Sequence, residues 1–139
     1  MKIFLYYIGR PKDQHLNVLA EDYVTRVSRY TTAQMAEVRV ERGNFWTKHP
    51  TARKVFLDPA GQLLDSAQFV SLVHKAELEA RDLVFLVGGH DGLPGSWLGY
   101  ADQRLSLSPL TMPHELARVV LAEQLYRAFA TLRGHPYPR

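Results

Sequence analysis

Two short segments of this chain combine residue types that ordinary connectors do not need. Gly88-Gly89-His90-Asp91-Gly92 follows the unbroken apolar run 83–87, and Leu107-Ser108-Pro109-Leu110-Thr111-Met112-Pro113 precedes a long helical pattern. Adjacent glycines let a backbone approach a ligand closely and allow positive φ. The spacing G-G-x-x-G is neither the dinucleotide fingerprint nor a P-loop, so the segment also reads as a plain tight turn. The second segment is apolar, poor in charge and carries two prolines. Exposed, it would waste apolar surface. Either it packs into the core, or its backbone amides with Leu and Met side chains wall a site for a flat apolar ring such as adenine.

The helical pattern that follows holds His114, Glu115, Arg118, Glu123, Tyr126, Arg127 and Arg133. His114, beside the proline loop, reads as a helix-start cap, a ligand or a general base. Arg118 lies between Leu116 and the pair Val119-Val120, which makes it a buried partner or a phosphate contact. Glu123 and Arg127 stand in the favourable order for a helical ion pair worth roughly 0.2–0.5 kcal/mol. The histidines, at positions 15, 49, 74, 90, 114 and 135, show no H-x-x-x-H or H-E-x-x-H spacing, and there is no cysteine. No metal site is expected from such a set. A G-x-S-x-G elbow is absent too. Chemistry here is expected to proceed without a metal or a covalent enzyme intermediate.

The elements that must position these residues alternate in type. Residues 1–8 are aromatic and β-branched, a strand broken by Gly9-Arg10-Pro11. Apolar positions Leu16, Leu19, Tyr23, Val27 and Tyr30 mark one face of a helix. Residues 36–40 alternate as a second strand, and 41–53 are basic and irregular, with Pro50 forbidding a long helix. A short strand, 54–57, should end at the turn sequence Asp58-Pro59-Ala60-Gly61. Ser66 is the expected N-cap of a helix whose face is Phe69, Val70, Val73 and Leu78. The run 83–87 is continuous rather than alternating, as in a central strand covered on both faces. A short helix over 95–102, a fifth strand over 104–107 and a last helix from Pro113 to about Arg133, stopped by Gly134, complete the pattern. The sum is an α/β fold with a largely parallel sheet, a single domain over 1–139.

Bulk properties narrow the class. With 139 residues, 46% hydrophobic and 22% charged, the chain has the composition of an ordinary soluble domain. No apolar run approaches a membrane span, and the first strand is too short for a signal peptide. The lack of cysteine fits a reducing cytoplasm. Charge is uneven: residues 1–60 carry ten Lys/Arg against six Asp/Glu, residues 61–112 three against six, and residues 113–139 four against two. The basic ends favour a polyanion such as nucleic acid, although a net charge of +3 requires no partner.

Taken together, the block 85–92, the segment 105–114, the helix 118–128 and the ending Gly134-His135-Pro136-Tyr137 resemble the RlmH family of the SPOUT superfamily. The first strand and the turn 55–61 match in position, so the resemblance spans essentially the whole chain. It implies a SPOUT fold with a deep C-terminal trefoil knot and a homodimer. It also implies an S-adenosylmethionine (SAM) site lined by Leu57, Gly88 and residues Leu107, Ser108, Pro109, Leu110, Thr111 and Met112, with Gly89 beside it. The implied activity is methylation of N3 of a pseudouridine in large-subunit ribosomal RNA, on the assembled ribosome in the cytoplasm. Two departures stand out: Pro138 replaces a second tail histidine, and the stretch 41–53 is short and lacks a helical pattern.

An activated methyl donor leaves the enzyme to align an in-line attack and to manage the N3 imide proton. The expected agents are the tail residues His135, Tyr137 and Arg139, acting in their own or the partner subunit, with His114 as a second candidate base. Arg118, Arg127 and Arg133 are expected to hold RNA phosphate or the tail. Two other readings stay open: a SPOUT enzyme acting on another RNA such as tRNA, and a non-catalytic ribosome-binding protein that keeps the fold.

Overall fold

The computed structural model describes residues 1–42 and 45–137. Its elements are β1 (Lys2–Ile8), α1 (Gln14–Val27), β2 (Thr32–Val38), β3 (Arg53–Leu63), α2 (Ser66–Leu78), β4 (Leu83–Val87), β5 (Gln103–Ser106) and α3 (His114–Leu132). Short 3₁₀ segments lie at Val40–Arg42, Phe45–Lys48 and Gly95–Tyr100. The strands form one sheet in the order β2-β1-β4-β3-β5, and every pair is parallel. All carboxyl ends therefore share one edge, the edge where α/β sheets bind ligands.

Strand β4 sits at the centre, and all five of its residues are buried. Its lack of alternation follows from having both faces covered. Leu83, Phe85 and Val87 join Ile3, Leu5, Val55 and Leu105 against the three long helices. Val84 and Leu86 join Tyr6, Phe56, Phe45 and Trp97 on the opposite face. That second face carries 3₁₀ segments instead of helices. Aromatic side chains thicken it, with Phe45 and Trp97 ring centroids 5.7 Å apart.

Several local expectations shift. Helix α1 buries Ala20, Val24 and Val27, whereas Leu19 is exposed. The cap of α2 is Asp65, not Ser66: its carboxylate accepts from Gln68 N–H, and the Gln68 side chain accepts from Asp65 N–H, a capping box. A carboxylate also suits the positive end of the helix dipole. Its buried face is Phe69, Val73 and Ala76, with Leu78 exposed.

The turn 58–61 does not end β3. Leu57 and Gln62 both pair with Leu105, so residues between them loop out as a bulge and the strand resumes. Gly61 is required there, because a Cβ would sit 2.7 Å from the Arg104 carbonyl carbon. Helix α3 starts after Pro113 and ends in a Schellman turn: Gly134 has φ of 72°, its N–H reaches Thr131 O, and His135 N–H reaches Ala130 O at 2.8 Å. Among the described residues no helix is long and apolar enough to cross a membrane.

Candidate methyl-donor site

The loops after β4 and β5 meet the bulge of β3 around one cleft of about 680 Å³ at the carboxyl edge. That volume lies within the range of small-molecule sites. Leu57, Gly88, Gly89 and residues 107–112 all border it, so the structure brings every expected donor-site residue to one place. His114 also lines it, half-buried at the start of α3.

The two glycines are explained first by the loop itself. A Cβ on Gly88 would stand 2.8 Å from the Gly92 carbonyl carbon, and one on Gly89 would stand 3.1 Å from Ile8 O. The tight turn that demands glycine is itself one wall of the cleft. The proline loop does not simply pack into the core. Leu107 does, but Pro109, Leu110 and Thr111 are exposed, Leu110 at 78%. Ser108 shapes it, its Oγ accepting from Leu110 N–H at 3.0 Å. Leu110 thus leaves an open apolar side chain at the rim of the cleft.

At the head of α3, Glu115 is only 6% exposed and its two oxygens accept from Lys12 N–H (2.7 Å) and Asp13 N–H (2.9 Å). Burial alone would push this carboxyl up, but the two backbone donors, with Arg118 and His114 nearby, bring its pKa below the ordinary value. Glu115 thereby ties the loop after β1 to the helix that closes the cleft. Arg118 takes the first of its two expected roles. It is 2% exposed, its guanidinium lies 3.8 Å from the Tyr7 ring centroid, and it donates to Asn17 Oδ1. A phosphate cannot reach it there, which corrects its reading as an RNA contact.

The tail end of α3 is organised separately. Arg127 donates to Glu123 Oε2 at 2.8 Å, and the Tyr137 hydroxyl donates to the same oxygen at 2.6 Å. Tyr137 also packs on Tyr126 with centroids 4.6 Å apart. Burial, and next the Glu123 carboxylate, raise the Tyr137 pKa. A phenol held this way gives up its proton reluctantly, so the arrangement suits Tyr137 as an anchor of the tail better than as a base. His135 is exposed, its Nδ1 accepting from Tyr137 N–H. Arg133 is paired with Glu77 on α2. Arg139 lies outside the described residues.

The structure thus unites the donor-site residues and His114 but leaves His135 just past the other end of α3, with the Tyr137 hydroxyl folded back onto Glu123 midway along it. That helix has 19 residues, which separates its ends by about 28 Å. Sequence reasoning missed Asp58, His90 and Asp91 among the cleft-lining residues, although the last two sit inside the glycine loop it singled out. It also missed the Glu115 clamp, which joins residues more than a hundred positions apart. Among the described residues no group of His, Asp and Glu is placed to hold a metal.

Residues 1–138 match the family described as "Predicted SPOUT methyltransferase". The ribosomal RNA large subunit methyltransferase H of Solibacter usitatus is 61% identical over 139 residues, covering 100% of both chains. Its counterpart in Thermus thermophilus is 38% identical over 139 residues, covering 100% of this chain and 99% of that protein. In fold, the chain is similar to an AdoMet-bound rRNA methyltransferase from Sinorhizobium meliloti, with a TM-score of 0.53, 12% identity, and coverage of 91% of this chain and 55% of that one. With the family matched from end to end, and its fold seen in the parallel sheet and the cleft at its edge, this chain belongs to the SPOUT methyltransferases.

Proposed function

We propose that this chain transfers a methyl group from SAM to N3 of a pseudouridine in large-subunit ribosomal RNA, as a homodimer acting on the assembled cytoplasmic ribosome. The observation that carries the reading is the cleft between the glycine loop and the proline loop, in a chain with a full-length relative named for that class of reaction. The AdoMet-bound state of a solved structure of the same fold supports the choice of donor. Leu57, Gly88, Gly89 and residues 107–112 would hold SAM, which supplies an already activated methyl group.

The protein's own residues then have two tasks. The first is exclusion and alignment: Leu107, Leu110 and Met112 give apolar walls, and the backbone of both loops gives fixed polar groups. The second is removal of the N3 imide proton. His114 is already in the cleft. His135, carried by an anchored tail, lies too far along α3 to serve the cleft of its own chain, so a tail role requires a second subunit. A two-fold dimer that sets each tail beside the opposite cleft meets that need. The trefoil threading expected of the family belongs to the same proposal. The return of the chain from edge strand β5 to the loop after β1, where Glu115 fastens it, is a path that such threading would use.

The test is methyl transfer from labelled SAM to pseudouridylated ribosomes, naked rRNA and tRNA, with nucleoside mass spectrometry of the product. N3-methylpseudouridine from ribosomes is the expected result. Label in tRNA alone, or SAM binding with no transfer to any RNA, would overturn the reading.

A further inference from the structure

The three arginines expected to hold RNA phosphate or the tail are all engaged within the chain: Arg118 with Tyr7 and Asn17, Arg127 with Glu123 and the Tyr137 ring, and Arg133 with Glu77. A different set stands free. Arg10 follows β1, Arg39 and Arg42 follow β2, and all three are exposed. They border a second cleft, of about 620 Å³, whose floor is Ile8, Gly9 and Val38. None of the three makes an ion pair or side-chain hydrogen bond among the described residues, although Glu37 and Glu41 border the same cleft.

We infer that this cleft is a track for RNA phosphates, with Arg10, Arg39 and Arg42 as its cations, placed to carry the strand whose base enters the methyl-donor cleft. The inference rests on the function proposed above and names where its substrate lies.

Position is the main argument. The sheet is parallel, so the loops after β1 and β2 emerge on the same edge as the glycine loop. Strands β1 and β4 are neighbours, roughly 4.8 Å apart. Gly89 of one cleft lies against Ile8 of the other, close enough that a Cβ would stand 3.1 Å from Ile8 O. The two clefts are thus separated by a single wall. An RNA strand that delivers a base to the first must lay its backbone across adjoining surface, and the second is adjoining surface with unpaired guanidinium groups. Arginine suits the task because its planar fork can meet phosphate oxygens in pairs.

The track is also held in place. Gly9 has φ of 98°, a conformation that turns the chain as it leaves β1 and that a side chain would resist. Two residues past Arg10, the Glu115 carboxylate grips the N–H groups of Lys12 and Asp13. Arg10 is therefore carried on a loop fastened to the helix that closes the donor cleft. Glu37 and Glu41 oppose a polyanion and leave the cleft one positive charge in excess, which makes their removal informative.

The experiment compares the wild-type protein with the triple variant Arg10→Ala/Arg39→Ala/Arg42→Ala and the double variant Glu37→Gln/Glu41→Gln. SAM affinity is read by calorimetry, methyl transfer on ribosomes gives KM and kcat, and anisotropy of a labelled single-stranded RNA gives binding between about 50 and 200 mM salt. The triple variant should keep its SAM affinity and melting temperature while KM for ribosomes rises about tenfold or more and kcat changes little. Its log–log salt slope should be shallower by about 2, the release expected from three phosphates on a single strand. The double variant should bind RNA more tightly. Unchanged RNA affinity and salt slope in a folded, SAM-binding triple variant would overturn the inference. So would loss of SAM binding, which would assign the arginines to the donor cleft, or weaker ribosome binding with unchanged affinity for protein-free RNA, which would assign them to a ribosomal protein. If the wild type transfers no methyl group to any RNA, the function itself fails, and the anisotropy series still decides whether the cleft binds RNA.

Discussion

The two ends of α3 carry similar chemistry in opposite settings. At the head, Glu115 and Arg118 are buried and fix backbone: one carboxylate closes two N–H groups of a distant loop, and one guanidinium covers a tyrosine ring. From its midpoint toward the tail, Glu123, Arg127 and Tyr137 form a part-buried network that fixes a side chain and the tail that bears it. The head borders the donor cleft; the tail does not. The difference teaches that one helix serves two fastenings: its first turn ties a distant loop beside the cleft, and its second half holds the C-terminal tail away from it.

The largest effect should come from breaking the head and the tail in different subunits. Gly88→Ala forces a Cβ against the Gly92 backbone and should cut methyl transfer about 100-fold by displacing the cleft wall. His135→Ala, if the tail histidine takes the proton, should cut it without altering SAM affinity. Mixed and re-annealed, the two variants should regain about a quarter of wild-type activity, because half the dimers are mixed and each holds one intact pairing of cleft with tail. No recovery from a mixture shown to exchange subunits would mean that tail and cleft do not meet across the dimer.

Next in size is Glu115→Ala, which strands two backbone donors and removes the buried negative charge nearby from Arg118. The expected loss is about 2–4 kcal/mol of stability, read from urea unfolding. Glu115→Gln, which keeps acceptor capacity at one oxygen, should lose less. The sign with pH follows from a folded pKa that lies below the unfolded one. The contribution is complete above the unfolded value, about 4.3, and disappears as pH falls through the folded value. The gap between wild type and Glu115→Ala should therefore narrow below about pH 4. A gap that stayed constant down to acid unfolding would show that the carboxylate's charge is not what holds the loop.

This clamp, between residues more than a hundred positions apart, also marks where the sequence ceases to be legible. The central strand was legible because 83–87 is apolar without alternation. The two cleft loops stood out by their glycines and prolines, but those residues equally fit a tight turn and core packing, and the resemblance to the RlmH family is what singled them out. The proposed N-cap at Ser66 failed because its neighbour Asp65 is the better acceptor, and the strand 54–57 ran on because a bulge tolerates the turn residues that normally end a strand. Arg118 was ambiguous for a physical reason: a half-apolar sequence context does not say whether a guanidinium finds a ring inside or a phosphate outside. Tyr7, its partner, is brought to it by the sheet. Helical spacing alone could not place the tail relative to the cleft, because distance along a helix becomes a constraint only when both ends have neighbours.

A smaller effect is expected at Tyr137. Its substitution by Phe removes the hydrogen bond to Glu123 and should cost about 1 kcal/mol while leaving SAM affinity unchanged. Because the hydroxyl is held protonated, the pH–rate profile of the variant should keep the shape of the wild type and fall in height only. Loss of the basic limb would instead identify the phenol as the proton acceptor, and the contrast between an anchoring tail and a reacting one would collapse.

The smallest effect separates a network from a lone surface pair. Arg133 meets Glu77 on α2, with both side chains partly in water, and such pairs contribute about 0–1 kcal/mol. The Arg133 hydrogen bond lowers the Glu77 pKa more than burial raises it. The pair therefore stabilises above the ordinary carboxylate range and fades as pH drops through the folded value. Arg133→Ala should lower stability by less than about 1 kcal/mol at neutral pH, and by less again at about 0.5 M salt, where surface pairs are screened. Urea midpoints at two salt concentrations measure it. If Arg133→Ala instead cost as much as Glu115→Ala and ignored salt, the tail end of α3 would be as internal as the head, and the Schellman turn after Arg133 would be part of the core rather than an exposed mount for His135.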